Sequence, residues 1–455
     1  MQNRQNAQSK VLIVGLGVSG LWTARYLAGQ GANVTVSEKK SESELDAGIC
    51  SELRSLGMTL EVGGHKRETF LNAEMIILSP GVPHDMDLIQ ASLKRGVPVT
   101  GEMELAGRLI DTPVIAVTGT NGKSTVTTFI GSMLESAGFK VFVGGNIGMP
   151  LMAYAASQEK ADYAVVEVSS FQLDTVKTFC PFISIVLNIS PDHLDRYADY
   201  EGYIRSKLRV FKNQGPAGYV ILNDDDEALS QVNPGSGISV FRYGLRKEKG
   251  RHAFMDGETV ISCVNGIESE LFSIPSFFLP GRHNRENLLA AVLCGMIVGI
   301  EPSVIQKAAG EFKGLPNRLE FVRELGGVAF YNDSKATNVD SAVRSVMSFE
   351  RPVILIAGGR HKGADYAPLV GAAKSRVKQA VFLGESRDLL AGAFEGVLPY
   401  SMAGDMEQAV DMAFSMAKNG DVVLLAPACS SFDMFLDYSH RGRVFRTCVE
   451  ELVRG

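Results

Sequence analysis

Paired cysteines are missing from this chain. Six cysteines, Cys50, Cys180, Cys263, Cys294, Cys429 and Cys448, are scattered over 455 residues, and none forms a CxxC pair. The pattern offers no disulfide framework and no thiolate metal clip, and it fits free thiols in a reducing compartment. Long apolar runs are missing too. The longest, Leu288 to Ile300, is thirteen residues, short of the roughly 20 that span a bilayer. The first residues, MQNRQNAQSK, are polar and lack the apolar segment of a secretory signal. A cytoplasmic protein without a membrane span is the expectation. Strong charge is also absent. The balance is 45 Lys and Arg against 51 Asp and Glu, a net −6, which excludes the basic field of a general nucleic-acid binder.

What is present is globular. Apolar residues make up 45% and charged residues 21%, which rules out a largely disordered chain. At about 150 residues per domain the length predicts roughly three domains. Apolar runs at Val11–Val14, Val34–Val36 and Met75–Leu78 alternate with helical stretches, as in a parallel α/β sheet. Asp111-Thr112-Pro113 breaks the pattern. Strands are then predicted at Val114–Val117, Tyr163–Val168, Ile183–Leu187 and near Tyr219–Leu222. Residues 231–275 read as short antiparallel strands, followed by a helix from about Asn284 to Val298. After the turn-like Gly314-Leu315-Pro316-Asn317-Arg318, a third block carries strands at Val328–Tyr331, Val353–Ala357, Ala380–Leu383 and Val422–Ala426. The reading is three α/β units in series.

Two glycine-rich turns could hold phosphate. Gly15-Leu16-Gly17-Val18-Ser19-Gly20 follows a strand and opens a helix, with Glu38 at the end of the next strand. That spacing lets backbone N–H groups approach a pyrophosphate, while the acid takes ribose hydroxyls. On its own it fits NAD, another nucleotide diphosphate, or a turn used only for packing. The second turn, Val117-Thr118-Gly119-Thr120-Asn121-Gly122-Lys123-Ser124-Thr125, ends as a P-loop does. Its lysine would bring charge to the β/γ-phosphates of ATP and its serine hydroxyl would face Mg²⁺. Val117 stands where the strict motif has its first glycine, and Gly119 supplies the bend instead.

The form Thr-Gly-Thr-Asn-Gly-Lys-Ser resembles that of the Mur ligases and folylpolyglutamate synthetases, ATP-dependent enzymes that join an amino acid to a carboxylate. Further strings match in the same order. They are Gly144-Gly145-Asn146-Ile147-Gly148, Glu167-Val168-Ser169-Ser170-Phe171-Gln172-Leu173, Asp192-His193-Leu194-Asp195-Arg196, Ser206-Lys207-Leu208-Arg209, Gly281–Asn287 and Pro316-Asn317-Arg318. Asn332-Asp333-Ser334-Lys335-Ala336-Thr337-Asn338 and Pro427-Ala428-Cys429-Ser430-Ser431-Phe432-Asp433 resemble the D-glutamate-adding Mur ligases in particular, and the DNPR-type diaminopimelate signature is absent. The resemblance runs over almost the whole chain.

It implies an α/β protein of three domains. A Rossmann-like domain over 1–110 would bind a UDP-linked substrate, a P-loop-type ATPase domain would span 111–315, and a Rossmann-like amino-acid domain would span 316–455. The implied reaction joins D-glutamate to UDP-N-acetylmuramoyl-L-alanine through an acyl phosphate, in a monomer whose third domain closes on substrate. ATP would lie on Thr118–Thr125, with Asn287, Arg318 and Asp333 completing its site. Asn284 could equally be a helix N-cap. Two Mg²⁺ ions are implied, with Ser124, Glu167, His193 and Lys207 as ligands, Lys207 as a CO₂-derived carbamate. Lys123, Glu167, His193 and Lys207 would form the catalytic set. By periodicity alone Lys207 is an ordinary surface lysine, and a lone His193 is more often structural. Gly17, Val18, Ser19, Glu38, Ser79 and Gly81 would line the UDP site, and Asn146 and His193 would reach toward the muramoyl-alanine end. Lys335, Thr337, Lys362, Ser431 and Tyr438 match the D-glutamate contacts, Tyr438 where the family often carries Phe. Ser431 and Thr337 alone could be loop caps. Arg360 stands where some members have Asp, so no contact through that acid is carried over. Two alternatives stay open: a sister ligase of the same mechanism, and a dinucleotide-dependent dehydrogenase.

Overall fold

The computed structural model describes residues 9–453 apart from 158, 194–195, 265–266, 275–278 and 280. Leu194 and Asp195 of the Asp-His-Leu-Asp-Arg string lie outside the described residues, as do residues 1–8 of the polar N-terminus. Among the described residues the strands form three sheets. The first holds β1 (Lys10–Val14), β2 (Asn33–Ser37), β3 (Thr59–Glu61), β4 (Met75–Leu78) and β5 (Val99–Gly101) in the order β3-β2-β1-β4-β5, all parallel. The second holds β6 (Val114–Thr118), β7 (Val141–Gly145), β8 (Tyr163–Glu167), β9 (Ile183–Val186), β10 (Tyr219–Asn223), β11 (Ser239–Tyr243), β12 (Ala253–Asp256), β13 (Thr259–Val264) and β14 (Ile267–Ser273). Its order is β14-β13-β12-β11-β10-β9-β6-β8-β7. The third holds β15 (Glu320–Leu325), β16 (Val328–Asn332), β17 (Val353–Gly358), β18 (Val377–Leu383), β19 (Tyr400–Met402) and β20 (Val422–Leu425), in the order β15-β16-β20-β17-β18-β19.

The central strands are apolar runs because helices cover both faces of a parallel sheet. Every residue of β6 and of β17 is buried. In the first two sheets the chain order reverses beside β1 and β6, so loops on either side diverge and leave a crevice at the carboxyl ends of those strands. Both glycine turns follow these two strands. In the third sheet β20 inserts between β16 and β17, which brings the segments after Asn332, Gly358 and Leu425 to neighbouring positions on one edge.

One expectation needs correcting. Residues 231–275 are not wholly antiparallel: β11 lies parallel to β10, and only β12, β13 and β14 form an antiparallel meander. The apolar spacing of β11 gives no direction, and its position beside β10 decides it. The helix Arg282–Val298 begins before Asn284. Asn284 therefore sits in the first turn and is not the cap.

The chain divides into two compact units. One contains residues up to 273 with 289–308, and the other contains 274–288 with the rest from 309. Within the first unit, two acids join the first and second sheets. Glu104 accepts hydrogen bonds from the backbone N–H groups of Lys177, Thr178 and Phe179 and from the Thr178 hydroxyl at 2.6–3.0 Å. Burial would raise its pKa, but these donors outweigh burial and hold it at about 2. Among the described residues Glu102 accepts only the Met152 N–H, at 2.6 Å, and burial pushes its carboxyl up to about 7. Among the described residues no helix is long and apolar enough to cross a membrane.

Candidate active site

The turn after β6 is held by contacts within the protein. Gly119 and Gly122 take φ of +153° and +85°, in the region where a side chain is strained. The helix Lys123–Ser136 starts directly after Gly122. Asn188, just past β9, clamps the turn: it accepts the Asn121 N–H at 2.8 Å, donates to the Asn121 carbonyl at 3.0 Å, and its own carbonyl accepts the Thr120 N–H at 2.9 Å. The Thr118 hydroxyl donates to the Val168 carbonyl at 2.8 Å. Lys123 Nζ lies over the turn, 2.9 Å from the carbonyls of Gly119 and Thr120. A helix N-terminus with such a lysine attracts phosphate.

A carboxylate and a second lysine meet the same turn. The Ser124 hydroxyl donates to Glu167 Oε2 at 2.5 Å, and Asn146 Nδ2 donates to Glu167 Oε1 at 2.8 Å. Glu167 ends β8 and is buried, so β6 and β8 deliver the pair as neighbours. Hydroxyl and carboxylate oxygens side by side are the hard donors that Mg²⁺ takes. Lys207 is only 2% exposed, which overturns the surface reading. Its Nζ donates to the Gly119 carbonyl at 2.8 Å and lies 4.6 Å from the centre of the Tyr203 ring. Burial, and then the charge of Lys123, holds this amine well below the ordinary lysine range. His193 is at φ +54°, and its ring packs edge-on against Phe171 at 4.9 Å.

The turn after β1 is tied to a neighbouring loop. The Ser79 hydroxyl donates to the Gly15 carbonyl at 2.7 Å, and Val82 N–H closes a turn on the Ser79 carbonyl at 3.0 Å. Glu38 Oε2 accepts the Leu16 N–H at 2.6 Å. Gly17, Val18, Ser19, Glu38, Ser79 and Gly81 thus gather at one edge of the first sheet, with Val18 61% exposed.

In the second unit, the Lys335 ammonium lies 3.8 Å from the centre of the Tyr438 ring. Thr337 N–H donates to the Lys335 carbonyl at 2.7 Å. Lys362 is exposed. Ser431 is buried, and among the described residues its hydroxyl has no hydrogen-bond partner, so it is not a loop cap. Arg360 pairs with Glu385 at 3.1 Å and bridges Ser430 through its backbone. Asp333 accepts a hydrogen bond from the Ser345 hydroxyl. Burial raises Asp333 to about 6 against the pull of that hydroxyl and of Arg318. Asn287 is buried, and its side-chain amide donates to Asn284 Oδ1 at 3.2 Å. Asn287, Arg318 and Asp333 belong to this unit, and Thr118–Thr125 to the other.

Several residues at these sites escaped the sequence reading. Asn188 and Tyr203 sit on the phosphate turn, and Tyr203 Oη is 3.3 Å from Thr120 Oγ1. Arg441, 1% exposed, donates to Ser334 Oγ and the Ser334 carbonyl at 2.9 Å and to the Cys429 carbonyl at 3.2 Å. It also reaches the Gly358 and Ser430 carbonyls at 3.4 Å. Its only signal is an arginine four residues into a helix, which normally reads as solvated.

A phosphate turn with lysine and serine at its end, beside a buried carboxylate on a parallel sheet, defines a nucleoside-triphosphate-handling α/β enzyme. Family models narrow this. "Mur ligase MurD-like, N-terminal domain" matches residues 9–101, "Mur ligase middle domain" 117–295, and "Mur ligase, glutamate ligase domain" 317–429. The chain is 43% identical over 458 residues to a UDP-N-acetylmuramoylalanine–D-glutamate ligase of Desulfosudis oleivorans, covering 100% of this chain and 99% of that one. It is 43% identical over 447 residues to the ligase of the same name in Geotalea daltonii, covering 98% of each. The chain belongs to the Mur ligase family and is an ATP-dependent ligase. Solved structures share its fold. MurF of Acinetobacter baumannii superposes with a TM-score of 0.60 at 16% identity, over 99% of this chain and 93% of that one. The UDP-N-acetylmuramate–alanine ligase MurC of Thermotoga maritima gives 0.58 at 18%, over 97% and 99%. The dehydrogenase reading of the first glycine turn is thereby set aside.

Proposed function

We propose that the protein joins D-glutamate to UDP-N-acetylmuramoyl-L-alanine at the expense of ATP, in the cytoplasm and as a monomer. Residues 1–110 hold the UDP end, 111–315 hold ATP, and 316–455 hold the amino acid. A carboxylate is a poor electrophile. Transfer of the γ-phosphoryl of ATP to the alanyl carboxylate gives an acyl phosphate and ADP. The D-glutamate amine then attacks the acyl carbon, and inorganic phosphate leaves as the amide forms. Charge on the transferring phosphoryl is met by Lys123 and by the N–H groups of the turn. Ser124, Glu167, His193 and Lys207 would hold two Mg²⁺ ions, which when bound neutralise phosphoryl charge. Lys207 is suited to carbamylation. CO₂ adds only to a neutral amine, and burial beside Lys123 favours that form. D-Glutamate carries two carboxylates, so cationic and hydroxyl donors are required. Lys335, Thr337, Lys362 and Ser431 supply them from loops at one edge of the third sheet, and Tyr438 from the first turn of the last helix.

The observation that carries this reading is the joint presence of a completed phosphate turn on β6 and a separate donor cluster at the ends of β16, β17 and β20. The names of the D. oleivorans and G. daltonii relatives support the choice of substrates. An amino-acid panel with UDP-N-acetylmuramoyl-L-alanine and ATP, read by phosphate release, tests it. D-Glutamate alone should sustain turnover. Equal use of L-alanine, L-glutamate and D-glutamate would overturn the assignment.

A further inference from the structure

Arg196 joins two parts of the first unit that the proposed function treats separately. Its Nη1 and Nη2 donate to the carbonyls of Gly81 and Val82 at 3.2 and 3.0 Å. Those carbonyls belong to the loop after β4, which Ser79 ties to the glycine turn through Gly15. The guanidinium also lies 4.2 Å from the centre of the Phe171 ring, which in turn packs against the rings of His193 and Tyr197. The backbone also links the two residues: the His193 carbonyl accepts the Arg196 N–H at 2.9 Å and the Tyr197 N–H at 3.2 Å. His193 itself has left-handed backbone. A non-glycine residue held there needs its surroundings to over-determine it.

We infer that Arg196 is a positioning residue that fixes His193 against the Gly81-Val82 loop, so that the acid end of the UDP-linked substrate is registered on the phosphate turn. The inference rests on the proposed placement of UDP on the first sheet. The chemistry favours arginine. Its planar fork meets two carbonyls at once while its face stacks on an aromatic ring, and lysine cannot do both. Chain contacts then run from Gly15 through Ser79, the 79–82 turn, Arg196 and Phe171 to His193, without a gap between the edges of the two sheets.

The test separates anchoring from registration. UDP and UDP-N-acetylmuramoyl-L-alanine are titrated calorimetrically into wild type, Arg196→Ala, Arg196→Lys and Phe171→Leu. In the variants UDP should bind as in wild type, while the full substrate loses about tenfold in affinity and kcat falls by at least as much. KM for ATP should stay unchanged, and added methylguanidinium should restore part of the Arg196→Ala rate. A merely structural role would weaken UDP, ATP and thermal stability together, without rescue, and would overturn the inference. Equal affinity of wild type and Arg196→Ala for the full substrate would also overturn it. Wild type that binds neither UDP nor the full substrate would remove the UDP placement itself, and the inference with it. If Arg196→Ala does not fold, Arg196→Lys and Phe171→Leu carry the same comparison.

Discussion

The phosphate turn of the first unit and the amino-acid loops of the second are built on different plans. Around the turn, backbone groups are held by Asn188, Thr118 and the start of a helix, and the cations Lys123 and Lys207 rest on carbonyls of the turn itself. At the edge of the third sheet the scaffold is one buried cation, Arg441, which gathers the segments at 334, 358 and 429–430. The ligand-facing ends are open. Lys362 is exposed, Phe432 and Leu436 are 63% and 78% exposed, and the Ser431 hydroxyl has no partner. A rigid cradle suits a phosphoryl group whose charge must be met at once. Unsatisfied donors suit a substrate that must be told apart from its relatives, because they are satisfied only by the correct one.

The largest effect should come from removing charge from the completed cradle. Lys123→Ala should lower kcat by roughly 1,000-fold or more and leave the melting temperature unchanged, since the turn is held by other groups. Normal turnover would refute the phosphate assignment. Lys207→Ala comes next, with a loss of about 100-fold and partial rescue by added short carboxylates. No rescue, with metal affinity unchanged, would count against a carbamate.

Arg441→Met attacks the other plan. Several carbonyls lose their donor inside the second unit, at a cost of order 3 kcal/mol in stability. KM for D-glutamate should rise at least about tenfold while nucleotide binding holds. Equal loss of both affinities would mean that the two regions are not independent in construction. The joint inside the first unit gives a smaller, pH-dependent effect. Glu102 has an ordinary value near 4.5 and stands at about 7 in the folded chain. Its neutral form favours folding below the ordinary value, and that stability is lost as pH rises through about 7. Glu102→Gln should flatten the melting-temperature profile between these limits and stabilise the protein at pH 8 by of order 2 kcal/mol. A profile identical to wild type would show that the acid is hydrated there. Glu104 has the opposite sign: its contribution is full above the ordinary range and is lost as pH falls toward 2.

Which parts of this could be read from the chain follows from how local each is. The phosphate turn is nine consecutive residues between a strand and a helix, so its chemistry is written in one place. Lys207 is different. Its helix has ordinary periodicity, and its burial comes from a carbonyl 88 residues earlier, so only the family resemblance singled it out. Arg441 meets Ser334 across 107 residues. Glu102 and Glu104 find their backbone donors 50 to 75 residues along the chain, at Met152 and at Phe179 and its two predecessors, so nothing local marks them. Strands β3, β5 and β19 are three residues each, too short for any period. β7 ends in two glycines and looks like a turn.

The smallest expected effect is the sharpest on the comparison. Ser431 Oγ is buried without a partner, and a buried hydroxyl left unmade costs about 1 kcal/mol or more. Ser431→Ala therefore removes a penalty and leaves no partner stranded. The variant should be as stable as wild type or slightly more so, while KM for D-glutamate rises about tenfold, the worth of one hydrogen bond to a charged group. A stability loss would mean that the hydroxyl is already engaged in the free protein, and the second unit would then be as pre-satisfied as the first. An unchanged KM would place the D-glutamate carboxylate elsewhere. Only a gain or no change in stability together with weaker D-glutamate binding fits amino-acid loops built open in the second unit, in contrast to the pre-satisfied phosphate turn of the first.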